Sequence, residues 1–216
     1  MFAPAMVVNP GSPRANPARR AGKLRPLMKI VCIGWGSLVW RPGVLHCTGP
    51  WQPGGPELPV EFTRTSQDGR MTLVLTEGAP PVPTRWVELG YAKAEQAQEA
   101  LAGREGSGIE SIGLWPGPAP KNATGAQAIA DWAQAQGVDA IVWSALKPKF
   151  LGVFGQVPEN AEAVVAYLRS LEGEKLEKAR EYVQRAPADV RTPYRAVIEA
   201  ELGWLPSEGQ EPGLAA

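Results

Sequence analysis

Residues 29–38, Lys-Ile-Val-Cys-Ile-Gly-Trp-Gly-Ser-Leu, constrain this chain more than any other stretch. The short apolar run Ile30-Val-Cys-Ile reads as a buried strand. It breaks into a loop framed by Gly34 and Gly36, where missing side chains let the backbone approach a ligand and turn its N–H groups inward. Ser37 is the one polar side chain there. Such a loop suits a carboxylate or a developing oxyanion. Gly-x-Gly after a strand is common and often only a tight turn, so its meaning depends on the rest of the chain.

Beyond this loop the chain is a mixture of short strands and helices without the regular alternation of a doubly wound sheet, so the expected class is mixed α/β (α+β). Residues 41–59 are crowded with Pro and Gly and read as a long loop, tacked down by Trp51 and Leu58. Val60–Thr65 alternates as a strand does and Met71–Leu75 is its return. Asp68-Gly69 between them predicts a type I′ turn. A further strand is expected at 86–89 and a helix over 92–105, stopped by Gly106. A helix over 126–136 ends at Gly137 and precedes a buried strand at 139–144. The C-terminal third is helical. Val164, Leu168 and Leu171 line one helix, and Leu176, Ala179, Tyr182 and Val183 the next. Thr192-Pro193, an N-cap and first-turn proline, opens a third that Gly203 closes.

The length of 216 residues fits one domain, placed at 28–205. Residues 1–27 contain no acid and five prolines (4, 10, 13, 17 and 26) and read as a disordered or non-native extension, with Met28 an alternative start. They lack the apolar core of a secretory signal. Residues 206–216 read as a flexible tail. Lys plus Arg equals Asp plus Glu at 22 each, which leaves no global field to draw nucleic acid or an anionic membrane. No apolar run approaches the length of a membrane span. Two cysteines, Cys32 and Cys47, are too few for a disulfide framework and suggest reduced thiols in the cytoplasm. The single histidine, His46, leaves little for a metal site and reads as a loop residue.

Among candidate catalytic groups, Ser37 does not sit in a nucleophile elbow, since Val39 stands where the second glycine should be. A dinucleotide fingerprint also fails, for the third glycine is missing and Pro42 interrupts the helix that should come next. Glu105 is the acid to single out. At the C-terminal end of a helix the dipole disfavours its charge, and partial burial would add to that, as a proton shuttle requires. On the residues alone, a water-facing glutamate is the simpler reading. Glu61 and Glu88, on strands, are the alternative acids if they point into a barrel; outward-facing and solvated is the expected state. Lys147 and Lys149 read as a solvated loop, and Cys32 as a core thiol.

Three elements carry a resemblance. Gly34-Trp35-Gly36-Ser37-Leu38 after an opening strand resembles the Tyr-Gly-Ser-Leu/Asn loop of the γ-glutamylcyclotransferase superfamily, which includes ChaC-type and AIG2-like proteins. Ala100–Gly106 is similar to that family's helix closing with Arg-Glu before a glycine turn, and its catalytic glutamate falls on Glu105. Thr192-Pro193-Tyr194 resembles the Pro/Asn-x-x-Tyr element of a late helix. The resemblance implies a small mixed β-barrel with packed helices. It implies cyclisation of a γ-glutamyl amine, amino acid or peptide to 5-oxoproline, with no cofactor or metal. Glu105 would shuttle the proton, while Gly34, Trp35, Gly36, Ser37, Leu38 and Tyr194 would bind substrate. Trp35 stands where the family has tyrosine, and the Asp-His-Arg-Gly segment of the ChaC type is absent. Ser66–Arg70 lies roughly there; Asp68 and Arg70 are possible substrate contacts, although a hairpin turn accounts for them too. The alternative function is a non-catalytic member that binds a small amino acid-like ligand in the same pocket.

Overall fold

The structure, a computed structural model, describes Met1 and residues 28–207. The extension expected at 1–27 and the tail at 206–216 lie outside it, apart from Met1, Pro206 and Ser207. Strand β1 (Ile30–Gly34) runs between β5 (Arg85–Leu89), antiparallel to it, and β7 (Ala140–Ser144), parallel to it. With β6 (Ile112–Trp115) beyond β7, the sheet order is β5-β1-β7-β6. All five residues of β1 are buried. A strand hidden on both faces needs an unbroken apolar run, which is what the sequence supplies.

Alternate β1 side chains enter different cores. Val31 and Ile33 join the larger one with Ile141 and Trp143, and Ile30 and Cys32 join the smaller with Ala140 and Val142. Helix α1 (Ala94–Glu105) covers the smaller core through Ala94, Ala97, Leu101 and Ala102. The larger core is shared with a second sheet, whose order is β3-β2-β8-β9. Its strands are β2 (Leu58–Thr65), β3 (Met71–Leu75), β8 (Lys149–Phe150) and β9 (Val153–Phe154), with β4 (Pro81–Val82) also paired to β2. Helices α2 (Ala126–Gln136), α3 (Ala161–Arg169), α4 (Gly173–Arg185) and α5 (Pro193–Leu202) complete that core.

The mixed α/β class is therefore present, but the strands form two open sheets and no ladder among the described residues closes them into a barrel. Residues of the 41–59 loop occupy the free edge of β5, through the bridges Cys47↔Leu89 and Gln52↔Trp86. That edge has no room for another strand. Leu58, expected in the loop, begins β2 instead.

The hairpin is present, but its turn differs. Gly69 N–H donates to Ser66 and Ser66 N–H to Arg70, and only Gly69 takes a positive φ, of 85°. This is a three-residue loop, not the two-residue type I′ turn that Asp-Gly predicts. Strand β6 was not legible because Gly113 lowers its strand propensity; the Trp143 indole lies where a Cβ on Gly113 would sit.

The corner between α4 and α5 rests on two buried charged side chains. Arg195, 1% exposed, donates to the carbonyls of Pro187, Val190, Val183 and Ala186, and through Nε to Glu199 at 2.8 Å. Glu61, expected to face outward, is 3% exposed. Its carboxylate accepts from Thr192 Oγ1, from its neighbour Phe62 N–H at 2.7 Å and from Tyr194 N–H at 3.1 Å. The Tyr194 N–H, left open in the first turn of α5, and the Thr192 hydroxyl make that inward position possible. Glu88 does face solvent.

Arg195→Met takes a donor from four buried carbonyls, of which that of Pro187 keeps Val190 N–H, and is expected to cost about 3 kcal/mol in urea unfolding. Burial holds the Glu61 carboxyl above its usual range, against the pull of its hydrogen bonds from Thr192, Phe62 and Tyr194. A raised folded-state pKa gives stability that is complete below the unfolded value and lost as pH rises through the folded one. The melting temperature of the wild type minus that of Glu61→Gln should therefore fall as pH rises above the ordinary carboxylate value of about 4.

Candidate functional site

The C-terminal end of α1 reaches the loop after β1. Gly106, at φ 60°, ends the helix, with its N–H directed at Ala102 and Gly103, and Ser107 N–H also returns to Ala102. This αL turn stops α1 with Glu105 as its last residue. Arg104, one residue earlier in the same turn, then spans the gap. Its Nη1 donates to Glu105 Oε1 at 2.9 Å, its Nη2 to Ser37 Oγ at 3.0 Å, and Nε and Nη2 to the Arg41 carbonyl at 3.2 and 2.8 Å. Both the Arg104 and Glu105 side chains are 13% exposed, so the ion pair is largely shielded from water. The sequence marked Arg104 only as a cation suited to a helix end; its part in joining the acid to the loop depends on the fold.

Trp35, Gly36, Ser37, Leu38 and Glu105 line one cavity of about 610 Å³. Trp35 is buried and its Nε1 donates to the Leu73 carbonyl at 3.1 Å, which ties the loop to β3. The amides of Gly36, Ser37 and Leu38 have no acceptor among the described residues. Gly34 and Tyr194 do not line this cavity. Gly34 is instead a packing position, since a Cβ there would lie 2.7 Å from the Trp51 ring. Tyr194 sits on α5, with its N–H on Glu61 and its hydroxyl 3.4 Å from the Pro158 carbonyl.

A different phenol stands at the loop. Tyr182 on α4, legible in the sequence only as part of a core stripe, places its hydroxyl where a Cβ on Gly36 would be. The hydroxyl accepts from Leu73 N–H at 3.2 Å, and its own proton has no acceptor among the described residues. Burial pushes its pKa up to about 12, so it stays a donor at neutral pH. The ring meets Trp40 and Phe62 edge-on, with centroids 5.4 and 6.2 Å away. A second cavity, of about 500 Å³, shares Ser37, Arg70, Arg104 and Tyr182 with the first, so these side chains form the wall between them.

The hairpin turn also reaches the cavity. Asp68 accepts from Ser66 Oγ at 2.6 Å and from Arg70 Nε at 2.9 Å, and all three line it. Burial raises the Asp68 carboxyl, but those hydrogen bonds and the Arg70 charge outweigh it and hold it below its usual range. Lys149, read from sequence as solvated, is half-buried on β8 and lines the same space, as does Arg64 on β2. Cys32 is a core thiol, as expected, with its pKa raised by burial. His46 is exposed and packs against Gly90 and the Tyr91 ring, away from this cavity. Among the described residues no group of three or more His, Cys, Asp or Glu side chains could hold a metal ion, and no helix is long and apolar enough to cross a membrane.

No protein-family model, no curated protein and no solved structure matches this chain.

The Gly36–Tyr182 contact is testable by stability alone. Gly36→Ala is expected to destabilise by about 1–3 kcal/mol, because the added methyl falls on the phenolic oxygen. Tyr182→Phe removes that oxygen and leaves the nearest ring carbon 3.4 Å from the new Cβ. The double variant should therefore recover at least about 1 kcal/mol relative to the sum of the single changes in a denaturant cycle.

Proposed function

We propose that this chain is a γ-glutamylcyclotransferase-like enzyme that closes a γ-glutamyl group to 5-oxoproline and releases the attached amine, amino acid or peptide. One observation carries the reading. A single guanidinium, that of Arg104, donates both to Glu105 and to Ser37, so the acid ending α1 and the loop after β1 face one cavity.

In this reaction the substrate's α-amine nitrogen bonds to its own γ-carbonyl carbon, and the bond from that carbon to the leaving nitrogen breaks. In becoming the ring N–H the α-ammonium loses two protons. The first leaves to free the attacking amine and is taken up in the end by solvent or the released amine. The second ends on the leaving nitrogen as its bond breaks. Glu105 is the group to carry it, because Arg104 anchors Oε1 while Oε2 has no protein partner among the described residues. Ring closure is intramolecular, so the protein's main task is to orient the two ends and move one proton. The Gly36–Leu38 amides are free to hold the α-carboxylate or the oxyanion. Trp35 has committed its indole N–H to Leu73, and Tyr182 supplies a hydroxyl beside the loop.

The family's small mixed barrel is part of the same proposal. Its support is that the two sheets contribute to one core. So is a reaction needing only a small γ-glutamyl substrate, without cofactor, metal or nucleic acid. A cytoplasmic location is proposed on the two free thiols, Cys32 and Cys47. A second reading, ligand binding without turnover, is favoured by Trp35, whose side chain offers the cavity no hydroxyl.

The deciding experiment measures 5-oxoproline release from glutathione, γ-glutamyl amino acids and γ-glutamyl amines, with Glu105→Gln alongside. For an enzyme, the variant should lose at least about 100-fold in rate while still binding substrate. Binding without release in the wild type would establish the second reading.

A further inference from the structure

Arg64 and Lys149 are register partners across the parallel ladder between β2 and β8. Their side chains therefore leave the sheet on one face, and both line the cavity that holds Glu105. Like charges side by side on neighbouring strands repel. Each of the other charged side chains lining this cavity has its counter-ion: Asp68 is paired with Arg70, and Glu105 with Arg104. Arg64 and Lys149 form no ion pair with an acid among the described residues.

Arg64 uses Nη1 on the Lys147 carbonyl at 2.7 Å, and the rest of its fork has no acceptor among the described residues. Burial lowers its pKa, while the charge of Glu105 raises it. The Phe154 ring stands against both cations, 5.8 Å from Arg64 Cζ and 5.3 Å from Lys149 Nζ, although it is 74% exposed. An aromatic face offsets part of the repulsion, but it brings no charge. Ser107 Oγ, buried and without a hydrogen-bond partner among the described residues, lines the same cavity.

Two adjacent cations in a walled space thus lack the anion that would balance them. We infer that Arg64 and Lys149 form a carboxylate subsite for the part of the substrate that is released, so that γ-glutamyl amino acids or peptides are preferred over γ-glutamyl amines. This rests on the cyclotransferase reading above. The γ-glutamyl portion is a zwitterion with no net charge at its α-carbon. A leaving amine adds no anion, whereas a leaving amino acid or peptide adds the carboxylate that the two cations lack. The cavity volume is within the range of small-molecule sites, so one ligand can span from Glu105 to this pair.

The test compares γ-glutamylglycine with γ-glutamylethylamide, titrated calorimetrically into the Glu105→Gln protein, whose binding is free of turnover. The glycine compound should bind at least about tenfold more tightly, the scale of a charge-assisted contact. Adding Lys149→Gln should erase most of that preference and leave the ethylamide affinity unchanged, and Lys149→Arg should keep the preference. Without ligand, Lys149→Gln should melt no lower than its parent, because it relieves a repulsion. Equal affinities for the two compounds, or a preference that survives Lys149→Gln, overturn the subsite. If neither compound binds, glutarate separates the two claims. Thermal stabilisation by glutarate that disappears in Lys149→Gln keeps the subsite while the γ-glutamyl reading falls; no stabilisation overturns the subsite itself.

Discussion

The burial of β1 on both faces is the constraint on which the rest of the structure depends. A strand that sends Val31 and Ile33 into one core and Ile30 and Cys32 into another cannot be covered by a single layer. It requires β5 and β7 on its edges, α1 on one face, and the second sheet with its helices on the other. Each of its apolar side chains, fully buried, contributes about 2 kcal/mol, so exposing either face would cost a large share of a domain's net stability. The same constraint decides where the backbone becomes available for function, which is beyond Gly34, where β1 and its ladders to β5 and β7 end.

Arg104 occupies that junction. Helix α1 has just ended, and the loop at Gly36 and Ser37 lies within reach, so one planar guanidinium can satisfy a carboxylate, a hydroxyl and a carbonyl together. Lysine has three donors on a single nitrogen and could not bridge the same set. Tyr182 closes the junction from the other side, and Gly36 accommodates it because it has no side chain. The loop's position is therefore set by α1, β3 and α4 together, through Arg104, Leu73 and Tyr182.

The features readable in advance were local. The ends of α2 and α5 agree with the residues marked by glycine and by Thr192-Pro193, because caps act over a few residues of contiguous chain. The hairpin was readable by its alternation. Its turn was not, because the choice between a two- and a three-residue loop depends on how the strands pair. Glu61 reads as outward-facing until α5 presents the Tyr194 N–H from 133 residues away. Lys149 reads as solvated until β8 joins β2. Tyr182 and Tyr194 stand on successive helices, and by sequence only Tyr194 reads as a site residue, while Tyr182 belongs to a core stripe. Only the packing of α4 on β3 brings Tyr182 to the loop.

The sequence by itself determined the apolar strand, the glycine-framed loop after it, the capped helices and the acid at the end of α1. Those arise from steric freedom, hydrophobic pattern and hydrogen bonding between near neighbours. The tertiary structure alone decided that the strands form two open sheets and that Arg104 joins Glu105 to Ser37. It also set Arg64 beside Lys149 in the cavity. These are relations between segments far apart in the chain, fixed by layer packing and strand register, and no local pattern encodes which distant side chains will share a wall.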